Sequence, residues 1–168
     1  MNHISQSIKN RLSLRQPQTD SLNILAELTE KLDLKKHASP PSQEGNKEVP
    51  SSEGRQGWVI SELEIVKSSY PLCTDFERSF PSICFALATG VGKTRLMGAF
   101  VSYLYLAKGI RNFFVLAPNL TIYNKLIEDF SNTTHPKYVF QGIGEFVHNN
   151  PVIITGDNYN SIGNLYKE

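Results

Sequence analysis

The sequence predicts an α/β fold, a parallel sheet flanked by helices. Two observations predict it. Short continuous apolar runs, such as ICFALA at 83–88 and NFFVLA at 112–117, alternate with stretches whose apolar residues recur at helical spacing. A glycine-rich turn joins the first of those runs to the helical stretch that follows it.

The leading part, DSLNILAELTEKLDLKK, carries Leu22, Leu25, Leu28 and Leu32 at helical spacing, with Ile24 and Ala26 widening the stripe. This predicts an amphipathic helix of roughly four turns, with Lys35 and Lys36 suited to its C-terminal end. Composition breaks at 38–57, ASPPSQEGNKEVPSSEGRQG, where only Ala38 and Val49 are apolar. Such a stretch cannot bury enough to offset its ordering entropy and reads as a linker or long surface loop. Trp58 to Val66 reads as a strand, and the stretch punctuated by Pro71 and Pro81 as irregular. Ile83 to Ala88 is expected as a strand buried on both faces. Thr94 to Ala107 is expected as a helix stopped by Gly109, and Asn112 to Ala117 as a second buried strand closed by Pro118. Thr121 to Phe130 is expected as a helix, with Tyr138 to Phe140 and Val152 to Thr155 as two further strands. The chain thus divides into a leading helix region at 1–37, a linker at 38–57 and a lobe at 58–168.

Composition narrows the class. The 168 residues are about one domain's worth of chain. Lys and Arg total 17 against 16 Asp and Glu, which argues against a histone-like protein, a polybasic arm or an acidic tail. Two cysteines without Cys-x-x-Cys spacing make neither a disulfide framework nor a zinc knuckle. A reducing, cytoplasmic setting follows. No apolar run at the N-terminus suggests a signal peptide, and none elsewhere suggests a membrane span. The scattered His3, His37, His135 and His148 suggest no metal site. Cys84 is expected to be a core thiol, and Trp58, Phe85, Phe100, Tyr103, Phe113 and Phe114 to be packing residues.

The turn ATGVGKT, Ala88 to Thr94, is where chemistry is expected. Between a strand and a helix such a turn is a phosphate cradle. Gly90 and Gly92 let backbone N–H groups approach phosphates, and the helix N-terminus adds its positive dipole end. Lys93 would reach the β- and γ-phosphates, and the Thr94 hydroxyl would ligate Mg²⁺. Thr89, Gly90, Val91, Gly92, Lys93, Thr94 and Arg95 are therefore the candidate ATP-binding residues, with Lys93 and Thr94 the candidate catalytic ones. The P-loop pattern G-x-x-x-x-G-K-[ST] is met except at its first position, which holds Leu87.

A-T-G-x-G-K-T after an apolar residue resembles motif I of superfamily-two helicases. With its flanks, from FERSFPSICFALATGVGKTRLMGAF to NFFVLAPNLTIYNKLIEDF, it resembles the restriction (Res) subunit of type III restriction–modification enzymes. The resemblance covers about residues 11–36 and 70–168. It implies an incomplete RecA-like P-loop NTPase lobe, ATP and Mg²⁺ as cofactors, DNA as a partner, and a methyltransferase (Mod-type) subunit or the remainder of a split helicase as a further one. It also implies that Pro118 and Asn119, in the LAPN turn, and Thr155, in TGD, touch a nucleic-acid backbone. By the same resemblance Gln18 reads the adenine edge, although Pro17 stands where the family usually has an aromatic residue.

The acidic pair that the family uses to organise Mg²⁺ and the attacking water has no Asp-Glu counterpart in this sequence. Asp157 follows VIITG, and Glu128–Asp129 falls on a helical stretch. The expectation is a lobe cut short that binds ATP and hydrolyses it poorly by itself. Two other classes compete: a small P-loop nucleotide or metabolite kinase, and a non-enzymatic nucleotide- or partner-binding module. Only Arg95 and Arg111 follow the P-loop, few for a kinase lid.

Overall fold

In the computed structural model the described residues are 2–32, 34, 52–78 and 80–162, with the backbone alone for 52–60. Seven helices are found among them, and no strand. The chain divides into two compact units. One is Met1–Leu22 with Ala88–Glu168, and the other is Asn23–Leu87.

In the first unit, α1 (His3–Arg11) begins at Asn2, whose side-chain oxygen accepts the Ser5 N–H at 2.8 Å. The Asn2 amide donates to the Tyr103 hydroxyl at 2.9 Å, which ties this helix start to α4 (Lys93–Lys108). On α4 the buried positions Leu96, Ala99 and Tyr103 recur at spacings of three and four, the stripe of a helix facing a core. Gly98 lies on the buried side too. A Cβ there would stand 2.5 Å from the Val139 carbonyl oxygen and 2.6 Å from the Val139 Cβ. Gly109, at φ +67°, closes α4, and the N–H groups of Gly109 and Ile110 return to the Tyr105 and Leu104 carbonyls.

Around α4 packs an aromatic group centred on Phe140, which is 1% exposed. Phe140 stacks on Phe146 with centroids 4.3 Å apart and meets Phe130 edge-on at 5.4 Å. Phe130 belongs to α5 (Leu120–Ser131), capped by Asn119, whose side chain accepts the Ile122 N–H at 2.9 Å. Phe146 lies on the single-turn α6 (Glu145–His148), and α7 (Tyr159–Ile162) is as short.

The second unit holds the C-terminal half of α2 (Gln16–Lys31) and all of α3 (Ser52–Ser69). Its core is Leu28, Leu32, Val66 and Phe76, with Ile24, Leu63 and Tyr70 packed against it. Leaving water stabilises by about 1.5–3 kcal/mol for each such side chain. At its margin Lys31 pairs with Glu27 at 2.8 Å, and the Tyr70 hydroxyl donates to the other Glu27 oxygen at 3.0 Å. Both contacts hold the Glu27 carboxyl below its usual value, the Lys31 hydrogen bond most and the Tyr70 one next.

Several sequence expectations meet their elements. The four leucines of the stripe are buried, Leu22, Leu25 and Leu28 on α2 and Leu32 directly after its end. Helices α4 and α5 fall within a residue of their expected ends, and Gly109 is the stop.

The α/β class does not hold. The RecA-like parallel sheet expected of an incomplete P-loop NTPase lobe is absent from the described residues. Trp58 to Val66 belongs to α3, where Leu63 and Val66 reach the core at a spacing of three. In so short an apolar window, strand alternation and helix spacing both fit, and packing decides. Ile83–Ala88, Asn112–Ala117 and Val152–Thr155 run without regular structure, and Tyr138–Phe140 forms a buried turn. A parallel strand needs a main-chain neighbour on each side and a cover on both faces. No main-chain hydrogen bond joins 112–117 to 152–155. Phe114 is 89% exposed and Leu116 77%, so the second run lacks a cover as well. Phe113 and Cys84 are likewise exposed, against the expectation that they pack inside. Residues 35–51, which include Lys35, Lys36 and most of the expected linker, lie outside the described residues. From Ser52 onward the chain is helix.

Two outcomes follow from this packing. Gly98→Ala gains about 1 kcal/mol in helix propensity but meets backbone at 2.5 Å, and overpacking costs about 1–3 kcal/mol. Urea unfolding should therefore show a less stable protein, and equal or greater stability would contradict the close approach. A carboxyl lowered in the folded state stabilises above its unfolded value of 4.5 and loses that contribution as pH falls through the folded value. Acid titration of the Glu27→Gln variant should thus show less loss of stability below pH 4.5 than the parent.

Candidate functional site

The glycine turn sits where its residue types place it, at the start of α4. Gly90 has φ +81° and Gly92 φ +94°, both in the left-handed region where a Cβ is penalised. Gly92 is also the N-cap of α4, and being glycine it supplies no side-chain acceptor. The N–H groups of Lys93, Thr94 and Arg95 in the first turn have no carbonyl one turn earlier to bond. No acidic residue lies in that turn to offset the helix dipole.

Lys93 is exposed, and its ammonium folds back over the loop to donate to the Ala88 carbonyl at 3.0 Å. Thr89, Gly90 and Gly92 are exposed, whereas Val91 and Thr94 are half-buried. The Arg95 guanidinium turns away from the loop and donates to the Leu12 carbonyl at 3.3 Å. Its contribution to an anion at the loop is thus its backbone N–H alone. A concave run of glycine backbone, an uncapped helix start and a primary ammonium fit a polyphosphate. Thr94, half-buried, carries the hydroxyl of this first helical turn.

Gln18 is 2% exposed and buried against this loop. Its Nε2 donates to the Gly92 carbonyl at 2.9 Å, and its Oε1 accepts the Arg15 N–H at 2.8 Å. The Arg15 carbonyl accepts the first intrahelical bond of α2, from Thr19, so Arg15 is the N-cap and Gln18 the third helical residue. A glutamine there that reaches back to the N-cap N–H is half of a capping box. Sequence reasoning placed Gln18 near the nucleotide but missed this bond to the loop. The only signal was the spacing from Arg15 to Gln18 ahead of the leucine stripe.

The other candidates lie apart from the loop. Pro118 and Asn119 are exposed, and the Asn119 side chain is engaged in capping α5. The Thr155 N–H donates to Asn158 Oδ1 at 2.7 Å, while the Asn158 amide donates to the Ile153 carbonyl at 3.0 Å. Ala117 and Thr155 line one cavity of about 160 Å³ together with Leu126 and Phe130 of α5. The ends of the two extended runs are therefore neighbours. Asp129 is 1% exposed and lies 3.3 Å from His135 Nδ1 and 3.6 Å from the Lys125 ammonium, contacts that fasten the end of α5. No cluster of three His, Cys, Asp or Glu able to hold a metal occurs among the described residues. No described helix is long and apolar enough to cross a membrane.

The family described as type III restriction enzyme, res subunit, matches residues 11–163. A curated relative from Haemophilus influenzae, described as a probable type III restriction-modification enzyme HindVIP Res subunit, is 38% identical over 58 residues. That stretch is 34% of this chain and 11% of the relative, so the chain spans a small part of the relative's length. No solved structure matches the chain.

The two glycines should respond differently to substitution. A Cβ at Gly90 meets nothing within 4 Å, so Gly90→Ala costs only the left-handed backbone penalty, about 1–2 kcal/mol. A Cβ at Gly92 stands 2.7 Å from Gln18 Nε2, so Gly92→Ala should cost more. Adding Gln18→Ala should recover part of that excess in a double-mutant cycle of urea unfolding. Equal costs at the two glycines would show that the contact is slack.

Proposed function

The chain belongs to the type III restriction enzyme res subunit family, and on that premise we propose that residues 88–95 bind ATP with Mg²⁺, as the nucleotide-binding part of a DNA-acting restriction subunit. One observation carries this: two left-handed glycines lead into the uncapped start of α4, with the Lys93 ammonium folded over the same loop. The N–H groups of Lys93, Thr94 and Arg95 face outward from the helix start and would donate to phosphate oxygens. Lys93 would exchange the Ala88 carbonyl for the β- and γ-phosphates, replacing a neutral acceptor by a charged one. Thr94 would hold Mg²⁺ through its hydroxyl. Mg²⁺ neutralises phosphate charge when bound.

DNA is the second ligand of this reading. Its support is the family and the adjacency of Ala117 and Thr155, which brings the Pro118–Asn119 turn and the Thr155 turn to one side of α5. A modification (Mod-type) methyltransferase partner is supported by the relative's description as a subunit of a restriction-modification enzyme. In the whole protein, ATP hydrolysis would drive movement on DNA.

Titration with a fluorescent ATP analogue tests the loop. Lys93→Ala removes charge-assisted hydrogen bonds worth about 1.5–3 kcal/mol and should weaken binding about 10- to 100-fold. Thr94→Ala should abolish the gain in affinity that Mg²⁺ brings while leaving Mg²⁺-free binding near the parent value. Unchanged affinity in Lys93→Ala would refute the assignment.

A further inference from the structure

We propose that Gln18 is a positioning residue that holds the phosphate-binding loop in shape, and that its contribution to nucleotide affinity is blind to the base. This rests on the reading of residues 88–95 as a triphosphate site.

A glutamine side chain has one acceptor oxygen and one donor nitrogen. Here the oxygen is engaged by Arg15 N–H and the nitrogen by the Gly92 carbonyl. At 2% exposure, the amide presents no open edge that a purine could approach. Pairing with adenine would require breaking both bonds and withdrawing Gln18 from the first turn of α2.

What the amide does in this arrangement is join two helix starts. Arg15 is the N-cap of α2, and Gly92 is the N-cap of α4. The Gly92 carbonyl accepts from Gln18 Nε2 and also from the Leu96 N–H at 3.1 Å, which is the first hydrogen bond of α4. Two donors on one oxygen fix the peptide plane between Gly92 and Lys93. That plane sets the direction of the Lys93 N–H, the first donor of the cradle. Gly92, at φ +94°, has no side chain to restrict its backbone, so its carbonyl needs an external restraint. Gln18, itself buried, supplies it. The fit is tight: even a methyl group on Gly92 would stand 2.7 Å from the amide nitrogen.

Three roles for Gln18 make different forecasts. A base reader affects ATP alone. A purely structural residue affects melting and leaves affinity unchanged. A loop-positioning residue affects every ligand that uses the phosphate cradle by the same factor.

The test is calorimetric titration of the full chain with ATP, GTP and inorganic tripolyphosphate, each with Mg²⁺. Gln18→Met keeps the volume and loses both hydrogen bonds. Gln18→Glu, the second variant, keeps an acceptor for Arg15 and sets a carboxylate against the Gly92 carbonyl. Both are expected to weaken all three ligands about five- to tenfold, by a common factor. Loss confined to ATP would overturn the proposal in favour of base reading. Unchanged affinities with a lowered melting temperature would overturn it in favour of a structural role. Hydrogen exchange of the ligand-free proteins is a separate readout. The amides of Lys93 to Leu96 should exchange faster in both variants, and unchanged exchange refutes the tie itself. A parent protein that binds none of the three ligands refutes the triphosphate site, and the exchange result still decides whether Gln18 orders the loop.

Discussion

Helix α4 is held by a contact that admits no side chain. Gly98 lies against the Val139 backbone and Cβ, closer than any larger residue could approach. That approach lets Val139 and Phe140 sit directly on the helix, and the ring cluster of Phe130, Phe140 and Phe146 is built outward from there. On the same helix, Tyr103 is buried beneath α1 and bonded to its cap, Asn2. A helix fixed in this way has a defined beginning. The glycine loop inherits its position from the packing of residues about one to three turns further along.

The loop adds little apolar burial of its own. Its order comes from directional bonds: Lys93 to the Ala88 carbonyl, Gln18 to the Gly92 carbonyl, and the first turn of α4. Such bonds are individually modest in net free energy, about 0.5–1.5 kcal/mol. They are also exchangeable. The Lys93 ammonium can leave a neutral carbonyl for a phosphate at small cost, whereas the buried Gln18 amide cannot leave without stranding two polar groups. The exposed Lys93 is thus adaptable and the buried Gln18 is fixed, a division that the proposed phosphate site would use.

The extended runs behave differently from the helices because their partners are main-chain groups. A helix satisfies its backbone within its own turns, so α4 and α5 form where their apolar spacing and caps specify. A strand satisfies nothing alone. The runs at 83–88 and 112–117 have the composition of buried strands, yet among the described residues they pair with no neighbour and leave Phe114 and Leu116 in solvent. The same dependence explains Trp58 to Val66. With no strand beside it, the segment satisfies its backbone locally as helix and turns Leu63 and Val66 to the leucines of α2.

Local chemistry was legible from residue order alone. The leucine stripe of α2, the stop at Gly109 and the glycine turn ahead of Lys93 each depend on interactions within a few residues, so spacing and residue type specify them. The relation between Gln18 and Gly92 was not legible, since the resemblance set Gln18 at the adenine edge and said nothing of a bond to the loop. Gln18 and Gly92 lie 74 residues apart, and spacing along the chain carries no information about such a bond. Cross-chain contacts decided the rest: Gly98 against Val139, the Phe140 cluster, and whether an apolar run becomes a strand. Each requires a neighbour distant in sequence, and composition indicates only that a neighbour is needed.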